Sequence, residues 1–159
     1  MDGKLFAQSI AMDRHFLSNA IGQFEPQHAD FRPADGMMTV SQQIRHIGAT
    51  LLWFQEGAFG TGFDMDFAKH EVELRNPVTL DQAKAELDAA WDQIIGFVEK
   101  MTEAELQSNM APNPIMGPIP KELAVWSAMD HTAHHRGILT VYLRMLGITP
   151  KMIYSPPEA

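Results

Sequence analysis

The sequence predicts an all-α protein with the architecture of an up-and-down-type four-helix bundle. Four segments carry apolar residues at helical spacing, and Gly and Pro residues concentrate in the segments between them. No segment alternates polar and apolar residues with a period of two over a useful length, which argues against strands. A chain of 159 residues fits one domain, so we expect residues 1–159 to form a single helical bundle domain.

The first two helices are separated by a predicted loop at residues 26–38. The first helix covers about residues 4–24, and the Glu25-Pro26 step ends it because proline disfavours a helical residue before it. The second helix starts at Thr39, which forms a capping-box pattern with Gln42. The apolar residues at helical spacing are Phe6, Ile10, Leu17, Ile21 and Phe24 in the first helix and Ile44, Ile47, Leu51 and Phe54 in the second.

The third helix begins at Thr79, again with a capping-box partner, Gln82, three residues later. Before it, residues 58–78 mix Phe and Met with acidic residues, and we predict a loop with room for one short helical turn. After it, Thr102 and Glu105 predict a short extra turn. The apolar face of the third helix consists of Leu80, Ala83, Leu87, Ala90, Ile94, Phe97 and Met101.

The fourth helix is predicted over about residues 121–146, with Gly147 as its C-terminal cap and Pro150 preventing its continuation. Residues 108–120 form a proline-rich, irregular connection before it. Its apolar residues are too numerous for a solvated loop, and we expect these four to pack against the bundle or a partner: Met110, Ile115, Met116 and Ile119. Residues 148–159 are predicted to form an extended tail.

Composition excludes several classes of function. The net charge is −8 and no basic run is present, so we expect neither a nucleic acid nor an anionic membrane as a partner. The chain contains no Cys, which excludes disulfides and thiolate-ligated metal centres and leaves His, carboxylate, carbonyl or water as metal ligands. The N-terminal residues lack the pattern of a signal peptide, and no apolar run reaches the ~20 residues of a membrane span. We therefore expect a cytoplasmic protein.

Three of the seven histidines lie in the fourth predicted helix, and their spacing decides which can act together. His131 and His135 are one turn apart and about 40° apart around the helix axis, so their imidazoles can converge. The apolar residues on nearly the same line, which should face the core, are Ala124, Ala128, Ile138, Tyr142 and Leu146. His134 lies about 60° to the other side of His131 and forms a second candidate pair with it. The opposite face carries Arg136, Thr140 and Arg144.

Two imidazoles on an apolar face need a polar partner, because a buried polar group without a hydrogen bond is costly. A divalent metal would satisfy both rings, and histidines at positions i and i+4 are a common chelating pair on a helix. Hydrogen bonds to other side chains or to water are the alternative. For the pair formed by His131 and His135 the metal is the favoured interpretation.

A third metal ligand should come from another helix, and His46 in the second helix is the best candidate. It lies roughly 100° from the centre of the apolar face, beside Thr50 and Trp53, which also fits an ordinary boundary histidine. His15 in the first helix is the second choice. The two histidines that fall in predicted loops and are expected to be solvated are His28 and His70.

The fourth helix lacks the zincin motif, in which a Glu directly after the first His acts as general base, because Thr132 occupies that position. Glu56 and Asp130 lie close in sequence to the candidate ligands, and either carboxylate could orient an imidazole or accept a proton. The sequence assigns no catalytic residue and no site for an organic cofactor.

The fourth helix carries a pattern consisting of Asp130-His131-x-x-His134-His135-Arg136-Gly137, then Tyr142-Leu143-Arg144, then Leu146-Gly147-Ile148. This pattern resembles the last-helix signature of the DinB/YfiT-like family. The second helix adds a single histidine within Ile44-Arg45-His46-Ile47, followed by the aromatic Trp53, which extends the resemblance over most of the chain.

The resemblance implies a four-helix bundle with a divalent metal, commonly zinc or nickel, near one end. The positions matched here by His46, His131 and His135 supply the metal ligands in that family, and water or another small ligand completes the metal shell. His134 matches a recurrent position that is not counted as a ligand. The resemblance also implies a homodimer. Some relatives are thiol-dependent S-transferases or isomerases that use bacillithiol or mycothiol, and the family name records induction by DNA damage.

Two functional hypotheses follow. The first is a metal-dependent enzyme in which three neutral imidazoles leave a dipositive ion with an open position, suited to thiol transfer to a small electrophile or to hydrolysis. The second is a non-catalytic, stress-related binding or scaffold protein in which the metal is structural or absent.

Overall fold

The computed structural model describes residues 2–156, and the regular structure in that range is helical. The α-helices are α1 (Gly3–Ile21), α2 (Val40–Phe59), α3 (Phe67–Arg75), α4 (Leu80–Val98), α5 (Glu103–Gln107) and α6 (Lys121–Met145). The prediction of an all-α protein built on a four-helix bundle is confirmed, and α1, α2, α4 and α6 form the bundle.

Each long helix packs against two others. α1 and α2 occupy opposite corners of the bundle, and both contact α4 and α6. The ring of Phe6 lies 5.2 Å from that of Trp126, and Phe16 lies beneath the guanidinium of Arg136 at 5.7 Å. Because both contacts join residues 120 positions apart, α1 and α6 run in the same direction.

The second parallel pair is α2 with α4. Arg45 donates to Glu86 near the start of both helices, and the rings of Phe59 and Phe97 lie 5.1 Å apart near their ends. The four bundle helices therefore run up, down, down and up. The connection between α2 and α4 has to travel back along the length of the bundle.

That return connection holds α3, which the sequence pattern did not predict beyond a short turn. α3 has no buried residue, so it lacks the apolar periodicity that identified the other helices. Asp66 caps it by accepting from the backbone N–H of Lys69 at 3.0 Å. Arg45 of α2 holds the other end, because its Nη1 donates to the carbonyl oxygens of Glu73 and Asn76.

The predicted starts of α2, α4 and α5 and the predicted C-terminal cap of α6 are confirmed, whereas α1 ends at Ile21, before the predicted end at residue 24. Reciprocal capping boxes form at Thr39, Thr79 and Thr102, each with the side chain three residues later. Gly147 has a φ of 78°, and the N–H of Ile148 donates to the carbonyl of Leu143, so α6 ends in a Schellman motif.

The apolar side chains of the four long helices form one core, in which Trp91, Tyr142 and Phe6 are the largest fully buried side chains. The connection before α6 extends this packing, because Met110 is buried against Ala58 and Ala124. The expectation that this connection packs against the bundle is therefore confirmed for Met110, Met116 and Ile119, whereas Ile115 is exposed.

Residues 148–156 lie along α1 and cover one side of α6. Gln23 exchanges hydrogen bonds with the backbone of Thr149 and Lys151, and His15 contacts the carbonyl of Ser155 at 2.7 Å. This tail explains a difference from the sequence pattern. Arg136, placed on the helix face opposite the histidines, is only 7% exposed because it lies between the rings of Phe16 and Tyr154.

Within residues 2–156, none of the helices combines the length and apolarity that crossing a bilayer would require.

Candidate metal centre

Three histidines from two helices converge at the contact between α2 and α6. His46 comes from α2, and His131 and His135 come from successive turns of α6. His135 is buried and the other two rings are partly buried. The helices are antiparallel here, since Gln43 contacts His135 and His46 contacts the earlier His131.

The nitrogen atoms of the three rings form a compact cluster. Nε2 of His131 lies 3.0 Å from Nε2 of His46 and 3.0 Å from Nε2 of His135. The potential ligand atoms of all three residues lie within 4.8 Å of one another. Two imidazole nitrogens on one tetrahedral zinc ion would lie about 3.4 Å apart, given Zn–N bonds of about 2.0–2.1 Å. The cluster therefore has the dimensions that a divalent ion needs.

A single two-centre hydrogen bond at Nε2 of His131 cannot account for both short contacts. In a neutral imidazole each nitrogen carries either one proton or one lone pair in the ring plane. Nε2 of His131 can therefore donate one hydrogen bond or accept one, yet it contacts two other nitrogens at 3.0 Å. Three lone pairs that share one cation would satisfy all three nitrogens, so the donor set fits a metal ion.

One further residue completes the environment of His135. Its Nδ1 lies 2.5 Å from Oε1 of Gln43, which is 4% exposed and lies three residues before His46 on α2. Nδ1 of His131, by contrast, is buried and has no hydrogen-bond partner among the described residues. The two clustered histidines of α6 are thus held differently.

Electrostatics keep the cluster neutral. Burial lowers the pKa of His131 to about 4 and of His135 to about 3, and the neighbouring imidazoles add to both effects. Burial also lowers the pKa of His46, while the charge of Glu71 on α3 opposes that shift. Because only a neutral imidazole can offer a lone pair to a metal, burial prepares these rings for coordination.

The position of His46 follows from the helix geometry. The apolar face of α2, which includes Ile44, Ile47 and Leu51, is buried in the shared core. His46 lies at the edge of that face, and this edge meets α6. The edge position, which the sequence pattern left open between a ligand and a boundary histidine, is the one that brings His46 into the cluster.

The alternative candidates lie elsewhere. His134 is exposed, and although its ring lies 5.0 Å from that of His135, it is outside the three-histidine cluster. His15 contacts Ser155 and Asn19. The two histidines predicted in loops also have local contacts, His28 with the backbone of Glu25 and His70 with Asp64.

The two carboxylates near the candidate ligands differ in what they do. Glu56 accepts from the backbone N–H and hydroxyl of Thr61, and these bonds lower its pKa. It therefore closes the end of α2 instead of orienting an imidazole. Asp130 is exposed, and its charge acts to raise the pKa of His131, opposing the effect of burial.

Sequence reasoning missed Gln43. The available signal was its spacing, because Gln43 precedes His46 by three residues and so shares the edge of α2 that faces α6. A polar residue at such an edge is common on any helix, which is why the spacing alone did not distinguish it.

Comparison with known proteins identifies the family. Residues 10–139 match the family model of the DinB superfamily. The chain belongs to the DinB superfamily. The match covers all of α2 and the part of α6 that carries His131 and His135.

Individual relatives agree with this assignment. The uncharacterized protein YjoA of Bacillus subtilis is 24% identical over 155 residues, covering 93% of this chain and 97% of the relative. A crystal structure of a DinB-like protein from Bacillus cereus superimposes with a TM-score of 0.74 at 18% identity, covering 94% of this chain and 95% of the other. The crystal structure of YjoA superimposes with a TM-score of 0.64 at 20% identity, covering 93% and 99%. At 18% and 20% identity, these two structures support the fold alone.

Proposed function

We propose that this DinB-superfamily chain is a metal-dependent enzyme in which His46, His131 and His135 hold one divalent ion and leave a coordination position open to a substrate. The observation that carries the proposal is the pair of 3.0 Å contacts at Nε2 of His131, which one two-centre hydrogen bond at that atom cannot satisfy. The reaction class that suits such a site is transfer of a low-molecular-weight thiol to a small electrophile, or hydrolysis.

The three histidines would provide the ligands of the ion, and their surroundings would keep them neutral and reachable. The three Nε2 atoms supply neutral donors, because burial keeps the imidazoles unprotonated near neutral pH. A bound divalent ion with three neutral ligands supplies positive charge that lowers the pKa of a coordinated thiol or water. His46 and His131 are each partly exposed, and we expect a small molecule to reach the cluster from their side.

Metal binding is tested by competition between the protein and a chromophoric chelator for zinc and for nickel. We expect one ion per chain, and we expect His131→Ala and His135→Ala each to weaken binding by more than about 100-fold, the upper end of what outer contacts cost. His134→Ala is the matched control, because it removes an exposed histidine from the same helix. Unchanged binding in both test variants would exclude the proposed ligands.

Enzymatic activity is tested separately. Low-molecular-weight thiols and electrophiles are screened with and without a chelator, and chelator-sensitive turnover is the expected result. Binding of a metal that stabilises the fold without any turnover would instead favour the non-catalytic alternative with a structural metal. The same competition experiment ranks zinc against nickel, since three imidazoles suit both ions.

We extend the proposal to a homodimer in the cytoplasm. α1 and α6 are neighbours, and their exposed large apolar residues are Leu5, Met12, Leu123, Trp126, Val141 and Met145. Light scattering after size-exclusion chromatography should give twice the chain mass, and Val141→Glu should shift it to the chain mass. Val72→Glu on α3 is the control, because Val72 is also an exposed valine but lies on a different helix. A monomeric wild type would contradict the dimer.

A further inference from the structure

A buried amide faces the histidine cluster without belonging to it. Gln43 is 4% exposed although it lies in the second turn of α2, where most long polar side chains reach solvent. A buried amide is costly unless it is hydrogen bonded, so its partner shows what the residue does. That partner is Nδ1 of His135, at 2.5 Å from Oε1.

The chemistry of this contact specifies the direction of the hydrogen bond. The amide oxygen has lone pairs and no proton, so the ring nitrogen must donate. His135 is therefore protonated at Nδ1, and in the neutral ring its Nε2 carries the lone pair. That Nε2 is the atom that faces Nε2 of His131 at 3.0 Å.

The other clustered histidine of α6, His131, lacks an equivalent contact. Nδ1 of His131 is buried without a hydrogen-bond partner among the described residues, so its ring is held only from the side of the cluster. Of these two clustered rings, only that of His135 is held on both sides, by Gln43 and by the cluster.

We propose that Gln43 is a positioning residue that holds His135 in the Nδ1–H tautomer and directs its Nε2 lone pair into the three-histidine cluster. This inference rests on the metal centre proposed above and assigns unequal roles to its ligands. His135 is the preformed ligand, and His131 adjusts its ring when an ion binds. Hydrogen bonds of this type orient metal-ligating histidines and raise their basicity, and losing one costs about 10–100-fold in metal affinity.

The tautomer is measured first, in metal-free protein labelled with 15N at histidine, at pH 7.5. Long-range 15N–1H correlation spectra distinguish a protonated from an unprotonated ring nitrogen, and the spectrum of His135→Asn assigns the His135 signals. We expect His135 to be protonated at Nδ1 in the wild type and to become a mixture of tautomers in Gln43→Met. A mixture, or protonation at Nε2, in the wild type overturns the inference.

Zinc affinity is measured next for a set of variants. Gln43→Met keeps the side-chain length and removes the acceptor, and we expect a loss of about 10–100-fold. Gln43→Glu keeps an acceptor and should bind zinc at least as tightly as the wild type, even if its buried charge lowers the melting temperature of the metal-free protein. Gln55→Met is the matched control, since Gln55 lies on the same helix twelve residues away, and its affinity should not change.

The outcomes separate the two proposals. If Gln43→Met and the wild type bind zinc with the same affinity, the proposed role of Gln43 is overturned and the metal centre is unaffected. A wild type that binds no zinc overturns the metal centre, and the tautomer of His135 then supports or overturns the hydrogen bond by itself. If Gln43 only stabilised the fold, the zinc affinity of each variant would fall together with its melting temperature. A Gln43→Glu variant that melts at a lower temperature but binds zinc at least as tightly as the wild type therefore supports the positioning role.

Discussion

At the scale of single residues, the histidine cluster is a site where burial and function act on the same atoms. Burial disfavours the charged form of a side chain, and it lowers the pKa of all three imidazoles. Neutral rings with free lone pairs are also what a cation requires. The same burial that would make an isolated histidine unfavourable therefore prepares a group of three for metal binding.

The lowered pKa values predict how the stability of the metal-free protein depends on pH. His131 and His135 have folded-state pKa values of about 4 and about 3, below their ordinary value of 6.5 in an unfolded chain. Above pH 6.5 both states are neutral and the pair has no effect. As the pH falls from 6.5 toward 4, the unfolded state binds protons that the folded state cannot, so the free energy of unfolding decreases.

Urea denaturation at pH 7.5, 5.5 and 4.5 checks this expectation. The wild type should lose stability over that range, and His135→Gln should lose less, because its cluster contains one imidazole fewer. Each protein is compared with its own value at pH 7.5, which cancels the direct effect of the substitution. Equal losses in the two proteins would contradict the folded-state pKa given for His135.

At the scale of elements, the distance between α2 and α4 depends on a small residue. A Cβ added at Gly48 of α2 would lie 3.2 Å from the backbone Cα of Leu87 in α4, closer than a side chain can ordinarily approach. Packing therefore favours a glycine at position 48, whereas its backbone conformation does not demand one. His46 lies two residues before Gly48, so the position of its ring depends on how α2 packs.

Alanine substitution of two helical glycines tests this close approach. Gly48→Ala should lower the free energy of unfolding by about 1 kcal/mol, because the overpacking against a backbone atom outweighs the gain in helix propensity. Gly96→Ala in α4 should raise it by about 0.5–1 kcal/mol, because its new Cβ would have no atom within 4 Å. Chemical denaturation of both variants measures the free energy of unfolding. A Gly48→Ala variant that is more stable than the wild type would show that α4 can move away to accommodate the added methyl group.

At the scale of the whole molecule, one hydrophobic core contains side chains from all four long helices. We expect residues 1–159 to unfold as one cooperative unit. Near-ultraviolet and far-ultraviolet circular dichroism should report the same urea midpoint, and two separate transitions would contradict the single domain.

Metal should act on that same transition. An ion that binds only the folded chain at 1,000 times its dissociation constant adds about 4 kcal/mol to the free energy of unfolding. The gain should appear on zinc addition to the wild type, vanish with a chelator, and be absent in His131→Ala. A midpoint that does not respond to zinc would contradict a site formed by folding.

The sequence by itself determined the four long helices, the capped starts of α2, α4 and α5, the C-terminal cap of α6, and two of the three clustered histidines. Apolar periodicity and capping boxes are local, since they depend on residues within a few positions, and so Thr39, Thr79 and Gly147 could be interpreted from the chain alone. His131 and His135 share one helix, and helix geometry places them together whatever surrounds them.

Only the tertiary structure decided which partner those two histidines meet. The approach of His46, the contact of Gln43 and the burial of Arg136 all depend on how separate helices and the tail pack. α3 was missed for a related reason, since it is helical without an apolar face. The contacts of His46, Gln43 and Arg136 join residues far apart in the chain, and local spacing does not encode them.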